Sequence, residues 1–280
     1  MENIRRVKRY FNGKPSVDGA GVRLNRIFGY YNVEAFDPFL MMDFFNSTNP
    51  EDYIKGFPWH PHRGIETVTY LVKGEIEHED SIGSKGTILD GDCQWMTAGS
   101  GIMHQEMPKA SERMLGIQLW VNLPQKDKMT EPKYRDIRKE IIPEYKDDSM
   151  TVRVVVGKYM DLEGPIKGLD VEPIFLDVEL KPNQEFIYSL ESDLNAFAFV
   201  MEGEGNFNSE KEELISVATG VLYGEGDFIK INTKNNSLRF LLIAGKPLKE
   251  SIAWGGPIVM NTKEELDLAF REIKEGTFIK

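Results

Sequence analysis

The sequence predicts an all-β protein of two tandem antiparallel β-barrels with one short C-terminal helix, on three observations. At 280 residues the chain is long for one core and suits two domains of about 130 residues each. From about Phe39 to Val121 it runs in short β-branched and aromatic stretches broken by glycine turns, as in all-β sandwiches and barrels. The second half then repeats the first, which points to a duplicated barrel.

The first barrel is placed at residues 1–130, with strands such as Thr67 to Val72 and Gly116 to Val121. Its turns fall at Val72-Lys-Gly74, Gly91-Asp92 and Ala98 to Gly101, where glycine permits positive φ and close backbone approach. The stretch Asn122 to Ser149 is polar, lysine-rich and proline-containing; it reads as a linker, set at 131–150, with a helical turn or two over Lys133 to Glu140. In the second barrel, 151–280, Phe197 to Gly203 matches Val68 to Gly74, Leu222 to Asp227 resembles Ile88 to Asp92, and Phe240 to Gly245 stands where Gly116 to Val121 stood. The end of the chain changes period: Leu266, Ala269, Phe270 and Ile273 follow the cap-like Asn261-Thr262, which predicts an amphipathic helix docked on a barrel.

The net charge of −11 repels a phosphate backbone, and no lysine or arginine cluster interleaved with aromatics offsets it, so direct nucleic-acid binding is not expected. No apolar run approaches about 18 residues and the basic N-terminus has no hydrophobic region behind it, which predicts neither membrane insertion nor export. Cys93 is the only cysteine, so no intrachain disulfide forms, and a cytoplasmic location is expected.

All four histidines lie between positions 60 and 104, three of them in the motifs His60-Pro-His62 and His104-Gln-Glu106. Residues two apart on a strand share a face, so two adjacent strands bring four donors to one point. Three imidazoles and a carboxylate leave two positions open on an octahedral ion, which suits Fe(II), Mn(II), Ni(II) or Cu(II) better than a closed structural zinc. Strand parity also offers Glu66, four residues after His62, if the strand continues unbroken. His78, among Glu77, Glu79 and Asp80, reads as structural; Cys93 has no neighbouring cation and reads as a buried small hydrophobe. Phe44, Phe45, Phe57, Trp59 and Trp95 are candidates for a wall facing a flat substrate, with Phe57 and Met103 preferred because they adjoin the motifs. The Gly99-Ser-Gly101 segment lacks nucleophile-elbow spacing, and the acidic run from Glu202 to Glu213 reads as a solvated face.

The pairing of HxH, Glu66 and Gly74 with Gly91-Asp92 and a later histidine is similar to the paired motifs of the cupin superfamily. More closely, Asp37 to Leu40, His60 to Gly64 with Glu66-Thr67, His78 to Ser81, Gly91 to Gly99, Gly101 to His104 with Glu106, Leu119 to Leu123 and Gly256 to Thr262 resemble the pirin family, in order and over nearly the whole chain. The resemblance implies a bicupin of double-stranded β-helix (jelly-roll) barrels with one iron in the first, held by His60, His62, His104 and Glu106. Mn, Ni, Cu, Co or Zn are compatible with the same donors. It further implies quercetin 2,3-dioxygenase-type oxidation of a flavonol or similar aromatic enol by O2. Glu106 is also the candidate general base, because a carboxylate that can loosen from the metal can accept the substrate proton. Glu66 then becomes a supporting or alternate ligand. The alternative is a metal- and redox-dependent regulatory protein acting through a protein partner with little turnover. The chain departs from the family pattern at Ser100, where arginine is common, and at Trp59 beside the first ligand. The second barrel has no histidine, and its corresponding positions fall near Ser189, Glu191, Arg239 and Leu241, which make no comparable site.

Overall fold

The computed structural model describes residues 3–280 and resolves into two compact units. The histidine-bearing unit comprises Lys14–Val33, Phe39–Lys139 and Leu248–Lys280; the histidine-free unit comprises Met1–Gly13, Glu34–Pro38 and Glu140–Pro247.

In the histidine-bearing unit a seven-stranded antiparallel sheet runs Lys133–Ile137, Cys93–Thr97, Ile65–Lys73, Met114–Asn122, Phe39–Ser47, Val22–Phe28, Lys14–Asp18. A four-stranded sheet runs Phe57–His62, Ile102–Pro108, Ile76–Asp80, Lys85–Ile88. In the histidine-free unit the main path is Val7–Asn12, Thr219–Tyr223, Asn195–Asn206, Leu238–Gly245, Ile174–Leu180, Met150–Val156, Glu144–Lys146. Apart from the first strand of each path, the six remaining strands follow the same order in both units, so the repeat legible in the sequence is a repeat of topology. The first strand comes from opposite directions along the chain: Lys133–Ile137 follows the other six strands of its path, whereas Val7–Asn12 precedes those of its own by more than a hundred residues.

The compact units therefore depart from the simple division at 130 and 151. The N-terminal segment pairs with Thr219–Tyr223, and the C-terminal segment belongs with the histidines. The stretch expected to be a linker with helical turns instead carries two strands: Lys133–Ile137 pairs with Cys93–Thr97, and Glu144–Lys146 with Met150–Val156. Both are edge strands, whose charged outward residues suppress the alternation expected of a half-buried strand.

The C-terminal helix, Lys263–Glu275, forms as its period predicts. A Thr262–Glu265 capping box starts it and Gly276, left-handed at φ 72°, ends it. Leu266, Ala269 and Ile273 pack with Ile258, Met260 and Phe278, while Phe270 is 43% exposed.

Candidate metal centre

The two motifs become neighbouring strands. Phe57–His62 pairs antiparallel with Ile102–Pro108, placing His60 opposite His104 and His62 opposite Ile102. A register shift between His104 and Glu106 sets Glu106 opposite Phe57. The ligand nitrogens of His60, His62 and His104 all lie within 4.8 Å of one another.

Each imidazole is oriented by its other nitrogen. His60 Nδ1 lies 2.9 Å from Pro58 O, His62 Nδ1 3.1 Å from Pro257 O, and His104 Nδ1 3.2 Å from Tyr134 Oη. A carbonyl oxygen only accepts, so His60 and His62 carry their protons on Nδ1 and keep the Nε2 lone pair for a ligand. Burial and then the charge of His60 push the His62 imidazole well below its usual value. Burial, then His62, His60 and His78, do the same for His104. Those two imidazoles are thus held in the neutral state that a metal requires. His104 Nε2 is buried with no hydrogen-bond partner among the described residues, a state that ordinarily costs about 1–3 kcal/mol and that a bound cation relieves. The residues present fit a divalent metal.

Glu106 is buried, and its Oε1 lies 3.0 Å from Thr69 Oγ1, outside the three-histidine group. Burial raises its carboxyl above the usual range, opposed by His60 and by Thr69. Thr69 Oγ1 also lies 2.7 Å from Gln118 Oε1. One hydroxyl proton cannot serve both acceptors, so with Glu106 ionised the Gln118 amide turns its NH2 toward Thr69.

Glu66 is not part of this group. The chain turns at Arg63-Gly64 between the two sheets, with Gly64 at φ 77°; a Cβ there would stand 2.0 Å from Val259 O. The strand is therefore broken, and parity counted through it fails. Within Ile65–Lys73, Glu66 and Thr69 are an odd number apart and face opposite sides of the sheet. Glu66 accepts hydrogen bonds from Trp95 Nε1 (3.0 Å) and Thr97 Oγ1 (2.6 Å) on the side away from Thr69 and the cavity.

His60 and His62 open onto a cavity of about 700 Å³, lined also by Glu106, Phe45, Phe57, Trp120 and Trp254. Of the aromatic candidates, Phe45 and Phe57 line it. Phe44 has the opposite parity on its strand, Trp95 faces Glu66, and Trp59 is 47% exposed. Met103 alternates with His104 and points to the other face of its sheet. Cys93 is buried, and burial raises its thiol, in keeping with a hydrophobic role. His78 is buried, stacks on Tyr134 and places Nε2 3.4 Å from Asp136 Oδ1.

Three supporting groups escape a sequence reading. Tyr134 lies on the edge strand taken for a linker, the Pro257 carbonyl lies 195 residues from His62, and Arg63 is a buried hub. Its Nε donates to Ser100 O and one Nη to Phe278 O, the other Nη pairs with Glu272 at 2.7 Å, and the group lies over the Phe278 ring. The Gly256 to Thr262 motif was the one available signal that the C-terminus returns to the histidines.

Comparison with known proteins identifies relatives over nearly the whole chain. Residues 21–121 match the family model described as Pirin, and residues 175–279 the one described as Pirin C-terminal cupin domain. A pirin-like protein of Caulobacter vibrioides is 42% identical over 278 residues, covering 98% of this chain and 99% of that one. A pirin-like protein of Solanum lycopersicum is 39% identical, covering 92% and 88%. The crystal structure of quercetin 2,3-dioxygenase from Acinetobacter baumannii superposes with a TM-score of 0.89 at 31% identity, covering 98% of each chain.

Proposed function

The chain belongs to the pirin family, a bicupin, and from that premise we propose that it is a metal-dependent dioxygenase. Its substrate class is a flavonol or similar aromatic enol, oxidised by O2 as in quercetin 2,3-dioxygenases, at one centre formed by His60, His62, His104 and Glu106. The observation that carries the reading is the trio of oriented imidazoles, one with a buried Nε2 that has no hydrogen-bond partner among the described residues, beside an aromatic-walled cavity that His60 and His62 line.

A divalent metal held there, iron in our reading, supplies Lewis acidity and one-electron exchange with O2. The protein's own groups do the rest. Phe57 and Trp120 flank a flat ring and shield it from water at the histidine end of the cavity. Glu106 takes the proton of the substrate's enolic hydroxyl, a role suited to a carboxyl whose basicity is raised by burial. Thr69 holds its Oε1, and Tyr134 and the Pro58 and Pro257 carbonyls keep the imidazoles aimed.

One observation favours a second reading, regulation through a protein partner. Arg63 ties the residue after His62 to the C-terminal helix at Glu272, so a change at the metal reaches an element with Leu268 and Phe270 exposed.

The test is metal analysis with anaerobic iron loading, then oxygen uptake with quercetin, for wild type and His62→Ala. Stoichiometric iron with uptake lost in the variant supports the dioxygenase. Bound iron without uptake favours regulation, and wild type that binds no metal refutes both.

A further inference from the structure

The wall of the cavity away from the histidines is not apolar. Arg26, Asp43 and Asp18 line it together. Arg26 donates from Nε to Asp43 Oδ1 (2.8 Å) and from Nη2 to Asp43 Oδ2 (2.7 Å) and Asp18 Oδ2 (2.8 Å). None of these bonds uses Nη1, and each carboxylate oxygen keeps a second lone pair.

The position of this group follows from strand register. Arg26 lies opposite Asp43, Asp43 opposite Gln118, and Gln118 opposite Thr69. Opposed residues of antiparallel strands share a face, so the four form one row across the sheet, which runs to the threonine that holds Glu106. Asp43 stands two strand spacings from Thr69, about 10 Å. Met41 and Phe45, alternating with Asp43 on its strand, join Trp120 in an apolar wall along that path.

We propose that the cavity is a two-point site in which Asp18, Arg26 and Asp43 bind the hydroxyls of a ring remote from the reacting one and so determine substrate specificity. The assignment rests on the reading above for which end reacts. Length and charge define the ligand class. A single aromatic ring does not bridge about 10 Å, whereas two linked rings do. Two carboxylates and one guanidinium leave net negative charge, which disfavours carboxylates and phosphates at this end. Unused Nη1 donors beside carboxylate lone pairs match a group that both gives and takes a hydrogen bond, and a phenolic hydroxyl does both. The ligand is an extended aromatic, uncharged and hydroxylated on its outer ring.

The experiment measures anaerobic binding to the metal-loaded protein by tryptophan fluorescence, since Trp120 and Trp254 line the cavity. The probes are quercetin, which carries two hydroxyls on its outer ring, and galangin, the same flavonol with none. Wild type should bind quercetin about tenfold or more tightly than galangin, as expected for hydrogen bonds to charged groups. In Arg26→Lys, which keeps the charge beside Asp43 but loses the fork, that ratio should fall toward one while galangin affinity holds. Asp18→Asn, at a half-exposed side chain where folding is not at stake, should reduce the ratio by a smaller factor. A ratio near one in wild type, or one unmoved in the variants, overturns the proposal, because an ion pair that merely braces the sheet would not read the outer ring. Oxygen uptake provides the separation from the dioxygenase reading. Discrimination without uptake refutes that reading and leaves the two-point site standing; uptake without discrimination does the reverse, and binding of neither flavonol refutes both.

Discussion

Six strands follow each other in the same order in both units, yet the rows of side chains they turn inward differ. In the histidine-bearing unit one row reads Gln94, Thr69, Gln118, Asp43, Arg26. On the corresponding strands of the other it reads Val221, Ala198, Leu242, Leu176, Val154, all buried. The second interior is closed by Phe186 and Phe207, each edge-on to Phe240, where the first leaves a cavity of about 700 Å³. A polar row is stable inside a barrel only if each group finds a partner or a ligand. An apolar row is stabilised simply by being covered, so one copy of the fold can give up packing for chemistry while the other keeps it.

This contrast can be broken most sharply at the histidines. His104→Ala should abolish stoichiometric metal binding, read by metal analysis after loading, whereas no substitution in the histidine-free unit should change the stoichiometry of folded protein. Next in size, Phe186→Ala should cost about 3–5 kcal/mol in denaturant unfolding, the usual range for a large core aromatic, with metal content unchanged. Tyr134→Phe removes only the hydroxyl at His104 Nδ1 and should weaken metal binding about 10- to 100-fold in a competition titration, with little effect on melting.

The pH dependence sharpens the same point. His62 and His104 have folded pKa values below the unfolded one, so the unfolded chain binds more protons as pH falls. Their stabilising contribution is therefore full above about pH 6.5 and declines below it, by up to about 1.4 kcal/mol per pH unit for each histidine. Metal-free protein melted from pH 7.5 downward should show this loss, and His62→Ala should reduce it. The smallest effect expected is that of Glu66→Gln: full metal loading, with a loss of about 1 kcal/mol or less from its bonds to Trp95 and Thr97. Lost loading would return Glu66 to the metal.

By itself the sequence determined the all-β class, the duplication, the C-terminal helix and the clustering of His60, His62 and His104. Those features are written in local periods and in spacings of two along a strand, which survive without knowledge of the fold. Glu66 stands apart from the histidines because parity holds only within an unbroken strand, and whether the strand breaks at Gly64 depends on Val259, almost two hundred residues away; Met103 stands apart because adjacency to a ligand on a strand places a residue on the opposite face. Tyr134 was hidden because an edge strand, paired on one side and wet on the other, carries a polar pattern like that of a linker. The orienting carbonyl of Pro257, the Arg63 hub and the row from Arg26 to Thr69 exist only through register, since no local pattern states which residues of distant strands stand opposite one another. Tertiary structure decided those because cross-strand neighbours are fixed by the whole sheet rather than by the segments that compose it.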